Sequence, residues 1–473
     1  MKRTLNEDFK ASIDELRRQN GGEALDTLIE SLQNDEPSVA IRINPKKEKC
    51  VPAGMRRVEW AANGVYIDGA RPRFTFDPAM HQGRYYVQDA SSMIMETVVK
   101  ELTGDSPTVY IDACAAPGGK TTAAISALPE GSLVIANEYE RRRADALCEN
   151  IIKWGSPNVA VTSCDTAKFA GLGPIADIVA ADVPCSGEGM MRKEDAAVEQ
   201  WSPELVQKCA ALQRTIIDNM WKALRPGGYF IYSTCTFNRS ENEENLAYIA
   251  EEHNGIPVDL NLSLRHKAIA PAIGSPYPAA RFIPGRAEGE GLFIAVMQKP
   301  NDDAETSGRE KRKSQRDKEA KSTKMPPAAA AAAGWINGEG FEIAADGDTI
   351  SALPTAWSRT IKELKRKLNV IYAGTEIAVI KGRDAIPSQA LAMSEILDME
   401  AFPKAEADYA TALQFLSRQA VSLDNAPKGI VLLTYGGQPL GFVKNLGNRA
   451  NNLYPQGWAI RSTHFPDECP EIL

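Results

Sequence analysis

DACAAPGGKTT, Asp112 to Thr122, is the stretch on which the reading of this chain turns. Its last residues, Gly119-Lys120-Thr121, end as a phosphate-binding P-loop ends, and ADIVAAD at 176–182 imitates the acidic strand that accompanies such a loop in nucleotide hydrolases. A P-loop needs a glycine five positions before Gly119, however, and position 114 is a cysteine. Pro117 also removes one of the backbone N–H donors that a phosphate cradle uses. What remains is a glycine turn at a helix N-terminus, where backbone and a nucleoside-type ligand can approach closely.

Working outward, apolar strands alternate with Gly- or Pro-containing turns and helical segments. The strands expected are 108–113, 132–138, 159–164, 176–182, 228–234 and 292–298. Helices are expected between them, one over Pro203–Leu224 stopped by RPGG, another opening at Ser240 with a capping box to Glu243. This is the pattern of a doubly wound, Rossmann-like α/β domain with a parallel sheet covered on both faces. In nucleoside-binding folds of this kind an acid ends the second strand about 20 residues beyond the glycines and receives the ribose hydroxyls. Glu138 stands 20 residues after Gly118, and Asp165 at the end of the third strand is placed to accept from an adenine amino group. Either acid alone would be read as a helix cap or a solvated loop end. The two together favour an adenosine compound over a nucleotide hydrolysed for energy.

The fourth strand runs into DVPCSGEGMMRK, Asp182 to Lys193, and the fifth into STCT, which brings Cys185 and Cys235 to the carboxyl edge of the sheet beside Asp182. Enzymes that methylate an exocyclic amine carry an aromatic residue after such a proline; here there is a thiol. Thiols suit a different reaction. Carbon 5 of cytosine is a poor nucleophile, and addition of a thiolate to carbon 6 turns it into an enamine-like carbon that can take a methyl group. A base must then remove the carbon 5 proton before the thiolate leaves. An unassisted thiol has a pKa of about 8.5, so the attacking cysteine needs local help to ionise. Spacing alone leaves open which cysteine attacks.

CAAPGGKT, DVPCSGEG and STCTFNRSENE, in this order, together with YYVQDASSM at 85–93, resemble the Sun/Nop-type RNA cytosine-5 methyltransferases over roughly residues 1 to 300. Within that family the chain is most similar to the bacterial RsmF-type 16S rRNA enzymes, which carry a C-terminal extension. GFVKNLGNRANNLYPQGWAIR, 441–461, resembles the end of their PUA-like RNA-binding module. The resemblance implies S-adenosyl-L-methionine as cofactor, wrapped by Cys114, Ala115, Ala116, Pro117, Gly118, Gly119 and Lys120, with Glu138 on its ribose, Asp165 at its adenine end, and Asp182 nearby. It further implies Cys235 as the nucleophile, Asp182 as the group that hydrogen-bonds the cytosine and assists its protonation, and Cys185 as the group that helps release product. With no β/γ-phosphate to hold, Lys120 should face the methionine end of the cofactor or the incoming cytidine. The implied substrate is RNA, 16S rRNA or the small ribosomal subunit first and transfer RNA second. Gly285 departs from the family, which often has a histidine there.

The domains expected are an RNA-binding-type α+β domain and lead-in over 1–104, the catalytic domain over 105–300, a charged and alanine-rich linker over 301–334, and a separate α+β extension over 335–473 that ends in the PUA-like module. In the first, residues 6–33 read as helix and SVAIRINP, 38–45, as a strand; in the last, GIVLLTY, Gly436-Gly437 and PLGFVK read as a hairpin. At 473 residues two or three cores are needed. Eight cysteines without a C-x-x-C pair and only four histidines argue against a metal site, and no apolar run is long enough to span a membrane. A monomeric cytoplasmic enzyme with reduced thiols is expected. The formal net charge of -8 means that RNA must be met by local basic patches, for which Arg42 with Lys46, Lys47 and Lys49, Arg56 to Arg73, Arg309 to Lys324 and Arg359 to Lys367 are candidates.

Overall fold

Three short strands, β1 (Ala40–Ile43), β2 (Gly64–Tyr66) and β3 (Tyr85–Val87), open the fold as an antiparallel sheet in the order β2-β1-β3. The computed structural model describes residues 3–301, 327–423, 426–462, 464–470 and 472–473. The helix expected over 6–33 is two helices, Glu7–Arg17 and Leu28–Asn34, with a 3-10 turn between them. The break follows from Gly21, whose φ of +84° a side chain would resist, and from Gly22, where a Cβ would lie 2.4 Å from the carbonyl oxygen of Leu16. The strand expected over 38–45 is shortened to β1, because Asn44 turns away to donate to the carbonyls of Gly83 and Trp154.

The catalytic domain is built on β4 (Val109–Asp112), β5 (Leu133–Asn137), β6 (Val159–Thr162), β7 (Ala176–Asp182) and β8 (Leu224–Thr234), all parallel in the order β6-β5-β4-β7-β8. β9 (Ile256–Val258), β10 (Ala280–Phe282) and β11 (Leu292–Gln298) extend it antiparallel beyond β8. Both faces are sealed by apolar clusters, with Ile111, Ile135, Val179 and Phe230 among residues that have no exposure. The strand order reverses between β4 and β7, so the carboxyl ends of β4, β7 and β8 diverge around a crevice.

Two local expectations fail for identifiable reasons. The helix from Pro203 stops at Trp221, and RPGG lies inside β8, where the register against β7 slips and Gly227 takes a φ of +76°. The later helix begins at Glu243, not at Ser240, and Glu243 is no capping residue. Its carboxylate is wholly buried against Arg281, with Nη2–Oε2 at 2.5 Å. A buried pair of this kind holds strand β10 to the helix Glu243–Glu252.

Residues 302–326, the larger part of the expected linker, lie outside the described residues. The alanine run is not linker: Pro327–Ala333 is a helix whose Ala329 and Ala332 are buried in the core of the C-terminal region. Nor is that region separate. It forms one four-stranded sheet from β12 (Phe341–Asp346), β13 (Thr349–Pro354), β15 (Thr375–Lys381) and β16 (Asp384–Pro387), but β14 (Val370–Ala373) leaves it to pair antiparallel with β6 at the edge of the catalytic sheet. A second four-stranded sheet contains β17 (Lys404–Glu406), β18 (Gly429–Tyr435), β19 (Gln438–Asn445) and β20 (Ala450–Asn452); β18 and β19 form the expected hairpin. Among the described residues no helix is long and apolar enough to cross a membrane.

The C-terminal region meets the catalytic domain closely at Gly155, which ends the helix Arg141–Trp154 at a φ of +96° and would put a Cβ 2.4 Å from the Met393 carbonyl oxygen. Gly155→Ala should therefore destabilise the protein by about 2 kcal/mol, from left-handed strain and lost docking, measured as a lowered Tm by calorimetry.

Candidate active site

Cys114, Ala115, Ala116, Pro117, Gly119 and Lys120 wrap one side of a cavity of about 290 Å³ at the carboxyl ends of the central strands. Gly118 takes a φ of +112° and starts the helix Gly119–Ala127, a conformation for which glycine is suited. Neighbouring side chains pin the turn. Asn150 donates to the Pro117 carbonyl at 2.8 Å and Arg143 to the Ala116 carbonyl at 3.0 Å. Arg42, expected on a basic surface, is instead fully buried; it stacks over Trp154 at 4.4 Å and donates to Thr122 Oγ1 at 2.5 Å and the Gly119 carbonyl at 3.3 Å. Burial lowers its pKa to about 10, so it remains a cation. Lys47 is likewise spent internally, on the carbonyls of Gln82 and Lys153, and Arg56 on Asp68 and Glu288. Arg309 to Lys324 lies outside the described residues.

The same lining carries Asp182, Met190, Lys193, Cys235 and Glu290, together with Tyr86, Gln88, Asp89 and Ser92 from the YYVQDASSM stretch. Lys120 Nζ lies 2.8 Å from Asp182 Oδ2, while Ser233 donates to Asp182 Oδ1 at 2.8 Å. Burial opposes the Lys120 charge, but the Asp182 carboxylate outweighs it and the ammonium pKa is raised. Asp112, also in the lining, has its pKa pushed up to about 7 by burial.

The two expected thiols meet, with Sγ–Sγ at 2.9 Å. Only Cys235 of the pair lines the cavity; Cys185 lies behind it. The hydrogen bond to Cys235, together with burial, raises the Cys185 pKa far above that of a free thiol. Cys185 therefore keeps its proton and can donate it toward a Cys235 thiolate.

Glu138 and Asp165 lie outside this lining. Glu138 Oε1 accepts from the Glu140 backbone at 3.0 Å, whereas its buried Oε2 has no hydrogen-bond donor, Arg143 standing 3.6 Å away. An unsatisfied buried carboxylate oxygen beyond a glycine turn fits a ribose hydroxyl. Asp165 is exposed and caps the 3-10 helix Thr166–Leu172 through Ala167, and the structure does not bring it to the cavity.

Two residues that join the thiol-bearing loops escaped the sequence reading. Glu188, fully buried, accepts from Phe237 N at 2.6 Å, Asn238 N at 3.0 Å, Asn238 Nδ2 at 2.9 Å and Trp201 Nε1 at 3.0 Å. Glu241 accepts from Ser186 N at 3.0 Å, Ser186 Oγ at 2.5 Å, Gln213 at 2.7 Å and Asn238 Nδ2 at 2.8 Å. Their signal in the sequence is an acid three residues after Cys185 and another six after Cys235, in motifs read for their thiols. Gly285, the departure from the family, has a φ of +85° and would put a Cβ 2.8 Å from Thr27 Oγ1, so this chain has no room for a histidine there.

Glu188→Gln should reduce kcat by about 10²-fold with cofactor affinity unchanged, because the loop after Cys235 loses its anchor. Steady-state kinetics with calorimetric cofactor titration measures both, and an unaltered kcat would sink this role.

Known proteins share this architecture. Residues 100–298 match the family model of 16S rRNA methyltransferase RsmB/F, residues 5–90 the N-terminal domain of 16S rRNA methyltransferase RsmF, and residues 402–460 the methyltransferase RsmF PUA domain. Ribosomal RNA small subunit methyltransferase F of Shewanella amazonensis is 30% identical over 411 residues, 84% of this chain and 85% of that protein. The protein of the same name from Enterobacter sp. strain 638 is 30% identical over 423 residues, 84% and 83% of the two chains. The crystal structure of NSun6 from Pyrococcus horikoshii with SFG shares the fold, with a TM-score of 0.51 and 22% identity over 62% of this chain and 98% of that one. With the cofactor turn, the paired thiols and the C-terminal module in these positions, the chain belongs to the RsmF family of 16S rRNA methyltransferases.

Proposed function

We propose that this protein methylates carbon 5 of cytosine in 16S rRNA through a covalent bond between Cys235 and carbon 6 of the base. The observation that carries the reading is the pair of thiols, Cys235 in the cavity wall and Cys185 2.9 Å behind it. S-adenosylmethionine, held by Cys114–Lys120 and Glu138, supplies an electrophilic methyl group when bound. The residues of the chain do the rest. Cys235 adds as thiolate to carbon 6, and a proton reaches the ring nitrogen from the Lys120–Asp182 pair, whose 2.8 Å contact keeps it on the cavity wall. Once the methyl group is on carbon 5, the ring nitrogen gives its proton back to the Lys120–Asp182 pair, solvent water takes the carbon 5 proton, and the sulfur leaves with the electron pair of its bond to carbon 6, regenerating the double bond. Cys185, protonated and adjacent, is positioned to assist departure of the Cys235 sulfur.

Cys235→Ala should abolish methyl transfer and covalent trapping on 16S rRNA containing 5-fluorocytosine, and Cys185→Ala should accumulate a protein–RNA adduct visible on a denaturing gel. Trapping that survives in Cys235→Ala and vanishes in Cys185→Ala would reverse the assignment. Bisulfite sequencing of RNA from cells lacking the gene identifies the cytosines.

For RNA affinity the helix Ser358–Lys367 presents an exposed basic face. Lys362, Lys365 and Lys367 pair with Glu342, Asp346 and Glu363, leaving Arg359 and Arg366 two turns apart to meet phosphates. Replacing both by alanine should flatten the dependence of log Kd on log salt by about one per lost phosphate contact, while an unchanged slope would exclude this helix from the interface. Removal of residues 335–473 would be a poorer test, because it strips β14 from the catalytic sheet.

A further inference from the structure

Glu290 is left over by the mechanism above. It lies at the end of the loop before β11, is only 4% exposed, and lines the same cavity as Cys235. Its position is fixed from several sides: Oε2 accepts from Arg192 Nε at 3.0 Å, its backbone N–H donates to Asp89 Oδ1 at 2.9 Å, and its carbonyl accepts from Ser91 Oγ at 2.8 Å. The other oxygen, Oε1, is buried and receives no hydrogen bond, with Lys193 Nζ 3.5 Å away.

The neighbouring carboxylates are already engaged. Asp182 accepts from Lys120 and Ser233, Asp89 from the backbone N–H groups of Ser92 and Glu290, and Asp112 from Thr121. Among the described residues, Oε1 of Glu290 is thus the buried carboxylate oxygen in this lining that lacks a donor. A buried acceptor without a donor costs stability unless a ligand satisfies it. Cytosine carries an amino group at carbon 4, whereas uracil carries a carbonyl oxygen at the same place. An ionised carboxylate attracts the first and repels the second.

We propose that Glu290 Oε1 receives the exocyclic amino group of the target base and so selects cytosine over uracil, with Arg192 holding the carboxylate in place. This rests on the reading of the cavity as a cytosine-5 methyltransferase site. It adds a specificity-determining residue to the lining of that cavity. Discrimination by a site built around a hydrogen bond to one functional group is steep, because the wrong base leaves that group unpaired.

The test uses the full-length protein with S-adenosylmethionine and two 16S rRNA transcripts, one containing 5-fluorocytidine and one 5-fluorouridine, with covalent trapping rates compared on denaturing gels. Wild-type protein that traps neither transcript refutes the methyltransferase mechanism itself, and the proposal with it. Wild-type protein that traps the fluorocytidine transcript isolates the question. Glu290→Gln, whose amide can donate to a uracil carbonyl, should then trap fluorocytidine about 10- to 100-fold more slowly and narrow the cytidine-to-uridine ratio. A ratio that stays at the wild-type value, whether both rates hold or fall together, overturns the proposal. Glu290→Asp keeps the charge for Arg192 but withdraws the oxygen by one methylene. It should lose fluorocytidine trapping without gaining fluorouridine trapping while still binding S-adenosylmethionine in calorimetry, and wild-type trapping by this variant would also overturn the assignment.

Discussion

Two carboxylates that lie outside the cavity lining hold the two thiols together. β7 and β8 are adjacent and parallel, with Asp182 opposite Ser233, so the loops carrying Cys185 and Cys235 leave the sheet side by side. Adjacency alone would let them diverge. Glu188 in the first loop takes four hydrogen bonds, three of them from Phe237 and Asn238 in the second, and Glu241 in the second takes two from Ser186 in the first. Each is a charge-assisted clasp in a low-dielectric interior, where an unpaired carboxylate would be costly and a fully hydrogen-bonded one is rigid. The 2.9 Å sulfur contact and the placement of only Cys235 on the cavity wall depend on that clasp.

The cofactor turn depends in a similar way on parts of the chain far from it in sequence. Arg42, on β1 of the N-terminal domain, reaches across to the carbonyl of Gly119 and the hydroxyl of Thr122, and its guanidinium lies flat on Trp154. Trp154 ends the helix whose Asn150 and Arg143 hold the other carbonyls of the turn. Lys153 of the same helix lies over the ring of Trp458 in the C-terminal module. Gln82 donates to the carbonyls of Tyr435 and Gln438 from the hairpin of that module. The N-terminal and C-terminal regions thus buttress the cofactor turn as well as flanking it, and β14 seals the sheet edge beside β6.

Much of the catalytic domain was legible because its signals are local. A strand buried on both faces reads as an unbroken apolar run, and the glycine turn, Glu138 and the two thiols fall at ends of such runs. The boundaries that failed were those set by distant partners. Glu243 reads as a capping residue from its spacing to Ser240, yet Arg281, 38 positions later, claims it. Arg42 reads as surface charge beside three lysines, yet it is buried against an aromatic ring and a carbonyl that the local sequence does not contain. Alanines after paired prolines read as linker, yet two of them are covered by a core assembled from later strands.

The sequence by itself carried the pattern behind the proposed chemistry, in the residue types of three short motifs: a turn without the P-loop glycine, an acid 20 residues beyond it, and two thiols at one sheet edge. Tertiary structure decided the surroundings of each residue. Cys185 and Cys235 are equivalent as letters; they differ because only Cys235 lines the cavity, while the contact between them and burial raise the Cys185 pKa. Glu188, Glu241, Glu243 and Glu290 are four glutamates with one intrinsic chemistry, and only their partners make them a loop anchor, a thiol clasp, a structural ion pair and an acceptor without a donor. Burial and the geometry of approach set those differences, and both depend on residues that are remote in the chain and adjacent only after folding.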